Sequence, residues 1–404
     1  MGAYRKGRPT WTNAGVAAHL ISEAFERREQ ALLIALDLQD AYNLVSLPKL
    51  ADQLLRLGTC AWLVRWVLSA LKSRRCSLKC GQWLSEWANI STALPQGSPL
   101  SPVCYNAYTQ ALATAQTPDN VRLLTFADDI SIVVWHRDTA ELAACGQQTI
   151  DSVRSVCDQL DMVINPRKAT VTGFSKRREE PRHPPLFNGD VAIPNVESVK
   201  LLGITLDSKL NFNAHVDQTR SRCLRVTSTL KAAFSWGVDL RRLTQLYRSL
   251  VLSRITYGLE VINPTINSLT KLDGIQNAAL RLISGCPRDT PLTALRFMFN
   301  LPSVTELHEL MRAKAISRVA SDPGHPLHDV VSVTVDVPPK ARLERQGWLR
   351  AGVRELRKMV GRNTVRRGPA WTSTPADTQE RWTFDTWVYL GLILQVPTKY
   401  LKSR

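Results

Sequence analysis

The sequence predicts an α+β protein: a small antiparallel sheet with helices on one face, then an all-helical region, then a basic C-terminal extension. Three observations carry this. Ala31-Leu32-Leu33-Ile34-Ala35-Leu36 is a continuous apolar run of strand length, the signature of a strand buried on both faces. Leu123–Val134 sets two short β-prone runs around Asp128-Asp129, which reads as strand, tight turn, strand. From 216 to 320 the apolar residues recur at helical spacing, as in Leu240, Leu243, Tyr247, Leu250 and Val251, and again in Leu272, Ile275, Ala279, Leu282 and Ile283. The expected divisions are 1–30, 31–215 (the sheet), 216–321 (helical) and 322–404.

Taken in order, residues 1–13 are basic and turn-rich, with Arg5, Lys6 and Arg8 able to touch phosphate. A helix follows to about Gln30, with Asn13 as its expected N-cap. The buried strand ends at Asp37, and Asp40 reads as a cap for the next helix. Residues 48–57 and 62–71 read as two helices broken at Gly58-Thr59, and 77–80 with 91–94 as strands around Gly81-Gln82. Leu94-Pro95-Gln96-Gly97-Ser98-Pro99-Leu100-Ser101-Pro102 is a loop running into a helix, with Ser101 as cap and Pro102 in the first turn. Its glycine lets backbone approach a ligand, and a helix N-terminus favours an anion. After the hairpin come a helix over 139–160, a turn and strand over 164–174 with Lys168 at the joint, a charged linker near 176–181, and one strand over 199–207. Beyond 322, prolines mark a linker. Lys340–Arg367 then carries ten basic residues against Glu344 and Glu355, a polyanion footprint.

Composition narrows the classes. The chain has 404 residues, with 52 Lys+Arg against 35 Asp+Glu, a net charge of +17. A surplus of that size points to a polyanionic partner, nucleic acid first. Eight cysteines are scattered; only Cys76 and Cys80 are close and no histidine cluster completes a zinc site. They read as free thiols of a reducing compartment. No apolar run reaches a membrane span, and the charged N-terminus has no apolar segment behind it. Lys6 stands where a myristoylation motif needs Ser or Thr. The expectation is an intracellular, soluble protein of nucleus and/or cytoplasm with no membrane partner.

On its own, Asp128-Asp129 is ordinary turn chemistry. With Asp37 at the end of a buried strand the reading changes. Three carboxylates on adjacent strand ends repel one another and need divalent cations between them. Two Mg²⁺ ions about 4 Å apart suit phosphoryl displacement. That serves nucleotidyl transfer to a 3′-hydroxyl or a two-metal nuclease alike.

The motifs then resemble a known family, the reverse transcriptases of non-LTR (LINE-type) retrotransposons, over about residues 2–310, with the blocks in the family's order. Arg5-Lys6-Gly7-Arg8 resembles its late fingers block. Leu36-Asp37-Leu38 through Tyr42-Asn43 resembles its first palm block, which implies Asp37 as a metal ligand and Tyr42 as the aromatic that excludes the 2′-hydroxyl. The loop around Gln96, Gly97 and Ser98 is similar to its template- and nucleotide-contacting loop, and Phe126-Ala127-Asp128-Asp129 to its catalytic hairpin. Ile164-Asn165-Pro166 through Lys168 resembles the block whose lysine protonates the leaving pyrophosphate. Leu202-Gly203-Ile204-Thr205-Leu206-Asp207 resembles the primer grip, and the region with Ile275–Arg281 the thumb. An aromatic-x-Asp-Asp is common by chance; the Pro-Gln-Gly loop upstream of it is far more specific. Ala127 fits retroelement polymerases, whereas RNA-virus replicases usually place glycine there.

The sequence departs from the pattern at Asn43, where the family usually has Asp, and at Pro9, where it has Ser. The early fingers block with its triphosphate-binding arginine would lie upstream of position 1, so the resemblance implies an N-terminally truncated copy. The implied architecture is a right-hand polymerase: fingers remnant 1–30, palm 31–215, thumb 216–321 and a basic extension 322–404. The implied reaction is RNA-directed DNA synthesis with two Mg²⁺ ions, Mn²⁺ substituting, on an RNA template, a DNA primer and dNTPs. Asp37, Asp128, Asp129 and Lys168 would be catalytic, the three aspartates metal-binding. Tyr42, Gln96, Gly97, Ser98, Arg5 and Arg8 would contact nucleotide or template, and Leu202 and Gly203 the primer. The alternative is a catalytically silent nucleic-acid-binding remnant.

Overall fold

The structure is a computed structural model that describes residues 7–72, 74–90, 92–177, 183–336 and 347–360. Two compact units divide the chain: Met1–Ser221 with Ile262–Ser268, and Arg222–Val261 with Leu269–Arg404. Arg5, Lys6 and, of the basic stretch, residues 340–346 and those beyond Val360 lie outside the described residues.

The first unit opens with helix α1 (Trp11–Glu26), which leads into strand β1 (Gln30–Asp37). Helices α2 (Leu47–Arg56) and α3 (Ala61–Lys72) follow, separated by Gly58 at φ +80°. A two-tier ribbon comes next. Its base pairs β2 (Arg74–Cys76) with β5 (Ala88–Ile90), and its tip pairs β3 (Lys79–Cys80) with β4 (Trp83–Leu84). Residues 92–94 are therefore not a strand, because the partner of the first arm is 88–90. The ribbon carries exposed Leu78, Trp83, Leu84 and Trp87, and the Arg75 guanidinium lies 5.9 Å from the Trp87 ring centroid.

Helix α4 (Leu100–Tyr108) precedes the hairpin β6 (Val121–Phe126) and β7 (Asp129–His136). Helix α5 (Thr139–Gln159), capped by the Asp138 carboxylate on the Ala140 amide at 2.7 Å, leads to β8 (Thr170–Phe174). The main sheet has the order β6-β7-β1-β8, every pair antiparallel. A small pair, β9 (Phe187–Asn188) and β10 (Val191–Ala192), is followed by β11 (Ser198–Leu201) and β12 (Ile204–Asp207). The stretch 199–207 is thus a hairpin and not one strand: Leu202 at φ 47° and Gly203 at φ 86° turn the chain, the paired left-handed residues that match the twist of a two-residue hairpin.

The sheet is covered on both faces, not one. Leu32, Ile34 and Leu36 enter a core with Leu142, Ile150 and Val153 of α5, Tyr105 and Tyr108 of α4, and Leu50 and Leu54 of α2. Leu33 and Val133, paired in register, are fully buried on the other face, where α1 packs on β1, β6 and β7. Helix α1 supplies Val16, Ala17 and Ile21 to the sheet's second apolar face. At about 25 cal/mol per Å² of apolar surface removed from water, a strand apolar on both sides requires such a second cover.

In the second unit, described by itself, α6 (Asn213–Ser235) continues in from the first unit. Helix α7 (Leu240–Tyr247), a π-helical turn over Arg248–Leu252, α8 (Ser253–Thr256), α9 (Ile266–Ser284), α10 (Leu292–Phe299) and α11 (Val304–Ala320) follow. Ser303 and Glu306 close a reciprocal capping box on α11. Among the described residues past 322, α12 (His328–Asp336) and α13 (Trp348–Val360) form. Helix α13 packs on α11 through a buried Arg312–Glu355 ion pair and through Gly352, where a Cβ would come 2.6 Å from Ile316.

Candidate active site

The site is built at one edge of the sheet. Asp37 is the last residue of β1 and Asp129 the first of β7, and the antiparallel register sets them directly opposite. The two-residue turn Ala127-Asp128 closes the hairpin, since Phe126 pairs with Asp129. Ala127 holds φ 53°, a left-handed conformation that costs a residue with a Cβ roughly 1–2 kcal/mol. Behind the turn, Asn13 donates its side-chain amide to the Thr125 carbonyl at 3.1 Å. Asn13 lies inside α1 and does not cap it; the N-cap position is Thr10.

The fourth member arrives from another segment. Leu38 bridges Ile164, the Gln39 amide donates to Val163, and the Asn165 amide donates to the Asp37 carbonyl at 2.8 Å. The Asn165 side chain then accepts from the Arg167 amide at 3.0 Å, an Asx-type turn. That clasp carries Lys168 Nζ to 2.8 Å from Asp37 Oδ2. The Asp37 contact holds the Lys168 ammonium above its ordinary range, with Asp128 and Asp40 adding to it. Loss of hydration raises the Asp129 carboxyl above the usual carboxylate range, and Asp128 and Asp37 raise it further against an opposing pull from Lys168. Asp129 as a residue is exposed, so these charges act through screening solvent. Asp40 sits in a turn at φ 44°, its carbonyl accepting from Asn43 and Leu44, while Ser46 takes the N-cap position of α2.

The donor set fits divalent magnesium by type, three hard carboxylates crowded at one strand edge. Among the described residues no group of three or more His, Cys, Asp or Glu side chains is arranged as a metal cage, and the cation on Asp37 is the Lys168 ammonium.

Tyr42 lies in the turn after Asp37. The Leu94 amide donates to its carbonyl at 2.8 Å and the Ala93 amide to that of Val45 at 3.3 Å, so this turn and the start of the Gln96 loop are joined. Its ring stacks on Tyr105 of α4, with centroids 4.6 Å apart and planes 13° from parallel. Gln96 and Gly97 are exposed and Ser98 half-buried. Gly97 takes φ +91° with open space around it, so glycine is required there by backbone conformation, not by crowding. Helix α4 starts earlier than its prolines suggest: Pro99 is the N-cap, and Ser101, inside the helix, donates its hydroxyl to the Pro95 carbonyl at 2.6 Å. Arg74 donates to the Thr92 and Ala93 carbonyls at 2.7 and 2.6 Å, tying the ribbon to the same loop.

Asp37, Asp128, Asp129 and Lys168 are therefore brought together, and Tyr42 and the Gln96 loop are stitched to one another. Arg8 is half-buried ahead of α1. Leu202 and Gly203 form the tip of the β11–β12 hairpin, which runs beside β8. Sequence reasoning gave Asn13 the wrong part, as a cap, and missed Arg74 and Tyr105; only Tyr105 left a signal, as an aromatic in the helix that follows the loop.

A mixed sheet-and-helix palm with an acidic hairpin at its edge, plus a helical region, defines a polymerase-type fold. The family described as Reverse transcriptase (RNA-dependent DNA polymerase) matches residues 2–206, and the chain belongs to it. The "Probable RNA-directed DNA polymerase from transposon BS" of Drosophila melanogaster is 25% identical over 311 residues, 75% of this chain and 34% of that protein. The RNA-directed DNA polymerase from mobile element jockey of the same species is 26% identical over 338 residues, 80% of this chain and 36% of that one. The chain thus spans about a third of the length of these relatives, which are polymerases of non-LTR retrotransposons. Among solved structures, telomerase from Candida tropicalis with a telomeric RNA fragment covers 87% of this chain and 51% of its own, at 9% identity and a TM-score of 0.40. Among the described residues no helix is long and apolar enough to cross a membrane.

Proposed function

We propose that this chain is the polymerase segment of a retrotransposon reverse transcriptase, adding deoxynucleotides to a primer 3′-end on an RNA template. The observation that carries the reading is the register pair Asp37–Asp129 with Asp128 at the adjoining tip and Lys168 on Asp37. The three aspartates would hold two Mg²⁺ ions, or Mn²⁺ in their place. Held there, such ions would supply activation of the attacking 3′-hydroxyl and charge neutralisation on the leaving pyrophosphate.

The chain's own residues do the rest. Lys168 keeps a proton at Nζ, held by Asp37, for the leaving pyrophosphate. Tyr42 excludes a 2′-hydroxyl, and Gln96, Gly97 and Ser98 contact nucleotide and template. Arg5 and Arg8 serve phosphates, Leu202 and Gly203 the primer, and the helical region acts as thumb on the duplex. The ribbon's Trp83 and Trp87, beside Arg75 and Lys79, offer ring faces and cations to unpaired bases.

A second reading, nucleic-acid binding without synthesis, has its own support in the charge, 52 Lys+Arg against 35 Asp+Glu, which favours a polyanion whether or not synthesis follows. Primer extension on a homopolymer RNA template, run beside salt-dependent filter binding, separates the two. Mg²⁺-dependent extension abolished by Asp128→Asn supports the polymerase. Binding without extension supports the second reading, and full extension by the Asn variant sinks the metal assignment.

A further inference from the structure

Helix α4 carries two fully buried tyrosines one turn apart, and they are used differently. The Tyr108 hydroxyl donates to the Leu160 carbonyl and accepts from the Ser46 amide at 3.4 Å. It staples three segments together. The Tyr105 hydroxyl is buried without a hydrogen-bond partner among the described residues. A buried phenol without a partner forfeits its hydration, so the hydroxyl anchors nothing and what Tyr105 contributes is its ring. What Tyr105 does contact is Tyr42, in a near-parallel stack. Burial, and then the Asp128 carboxylate, push its phenol upward, so the ring is neutral. Tyr42 itself has its carbonyl fixed by Leu94, so its ring can move only about its side-chain bonds. One face is covered by Tyr105, and the residue stays half-buried.

We propose that Tyr105 is a positioning residue for sugar selection: its ring fixes the plane of Tyr42, and through it the surface on which the incoming nucleotide's ribose is judged. The inference rests on the reading of Tyr42 given above. A gate works only if it cannot swing. A ring free to rotate by one staggered well would admit a 2′-hydroxyl that the stacked orientation rejects.

The test compares Tyr42→Val, Tyr105→Leu and Tyr105→Phe in the full chain. A dideoxy-terminated DNA primer on RNA template traps the ternary complex without turnover. The nucleotide concentration that stabilises it is measured for a dNTP and for the matching rNTP, and the same ratio is read from single-nucleotide extension. Tyr42→Val should erase the ratio. Tyr105→Leu should lower it about tenfold, the scale of an aromatic stacking pair, while primer–template binding stays unchanged. Tyr105→Phe, which keeps the stack, should retain the wild-type ratio. If Tyr105→Leu does not fold by circular dichroism, Tyr105→Met, an unbranched side chain that adapts to the gap without a ring plane, takes its place.

A wild-type ratio in Tyr105→Leu, with Tyr42→Val defective, overturns the inference and leaves the Tyr42 reading standing. Equal losses in the Leu and Phe variants overturn the stack as the cause. An unchanged ratio in Tyr42→Val, or no nucleotide response in the unsubstituted chain, removes the Tyr42 reading and this inference with it.

Discussion

Neutralising one carboxylate of the site should stabilise the metal-free protein and abolish its response to magnesium. Asp129→Asn is the substitution of choice. Asp37 stands directly opposite Asp129 in the sheet, and side chains at such positions lie about 5 Å apart. Two full charges at about 5 Å in water repel by ~0.8 kcal/mol. Asp128 adds repulsion and Lys168 subtracts it, and Asp129 is exposed enough for salt to weaken every contribution. The net gain should be about 0.5–1 kcal/mol at low salt. For a unit of this size that raises the melting temperature by about 2 °C. Thermal unfolding is followed in EDTA and then against a Mg²⁺ titration. Wild type should gain about 1.4 kcal/mol at ten times the dissociation constant, and the variant far less, so the order of stabilities inverts.

The pH dependence follows the same sign. The Asp129 carboxyl is raised, so the folded state holds that proton more tightly than the unfolded one. On acidification through the raised value, above the ordinary Asp value of about 3.9, wild type takes up the proton and the variant's advantage closes. A metal-free variant less stable than wild type, or one with an undiminished magnesium shift, would refute the reasoning.

Lys168→Gln should slow extension by about a hundredfold, the usual worth of a placed proton donor, with primer–template binding little changed in filter assays. Because Asp37 raises the Lys168 ammonium, the ion pair is complete below the ordinary lysine value of about 10.4 and is lost only as pH rises through the raised one. In EDTA the Lys168 ammonium, followed by NMR, should therefore titrate above a free lysine. Glu355→Gln leaves Arg312 charged and buried between α11 and α13. Urea unfolding should show a loss of about 3 kcal/mol, with recovery in the double variant Arg312→Met/Glu355→Leu. Trp83→Ala and Trp87→Ala should each weaken single-stranded RNA binding by about 1–3 kcal/mol, read by fluorescence anisotropy against double-stranded RNA as control.

The sequence by itself determined those features that depend on local pattern and chain order. A strand apolar on both faces has to end somewhere, and Asp37 marks the end. The β-prone runs around Asp128-Asp129 allow little besides a hairpin, and the Pro95-Gln96-Gly97 loop lies in family order before it. Helical spacing alone announced the region after 216. Local reading failed where a residue's part is set by a distant partner. Asn13 looks like a cap and instead holds the Thr125 carbonyl 112 residues away. Leu202 occupies a left-handed turn position that its side chain disfavours, so 199–207 reads as one strand until pairing is seen. The prolines past 322 read as a linker and Lys340–Arg367 as a helix-like basic stretch, but nothing local reveals that Glu355 in it meets Arg312. Tertiary structure alone decided that Asp37 faces Asp129, that Lys168 closes on Asp37, and that Tyr105 backs Tyr42. Register and side-chain stacking are set by packing between segments far apart in the chain, and no window of sequence contains both sides of such a contact.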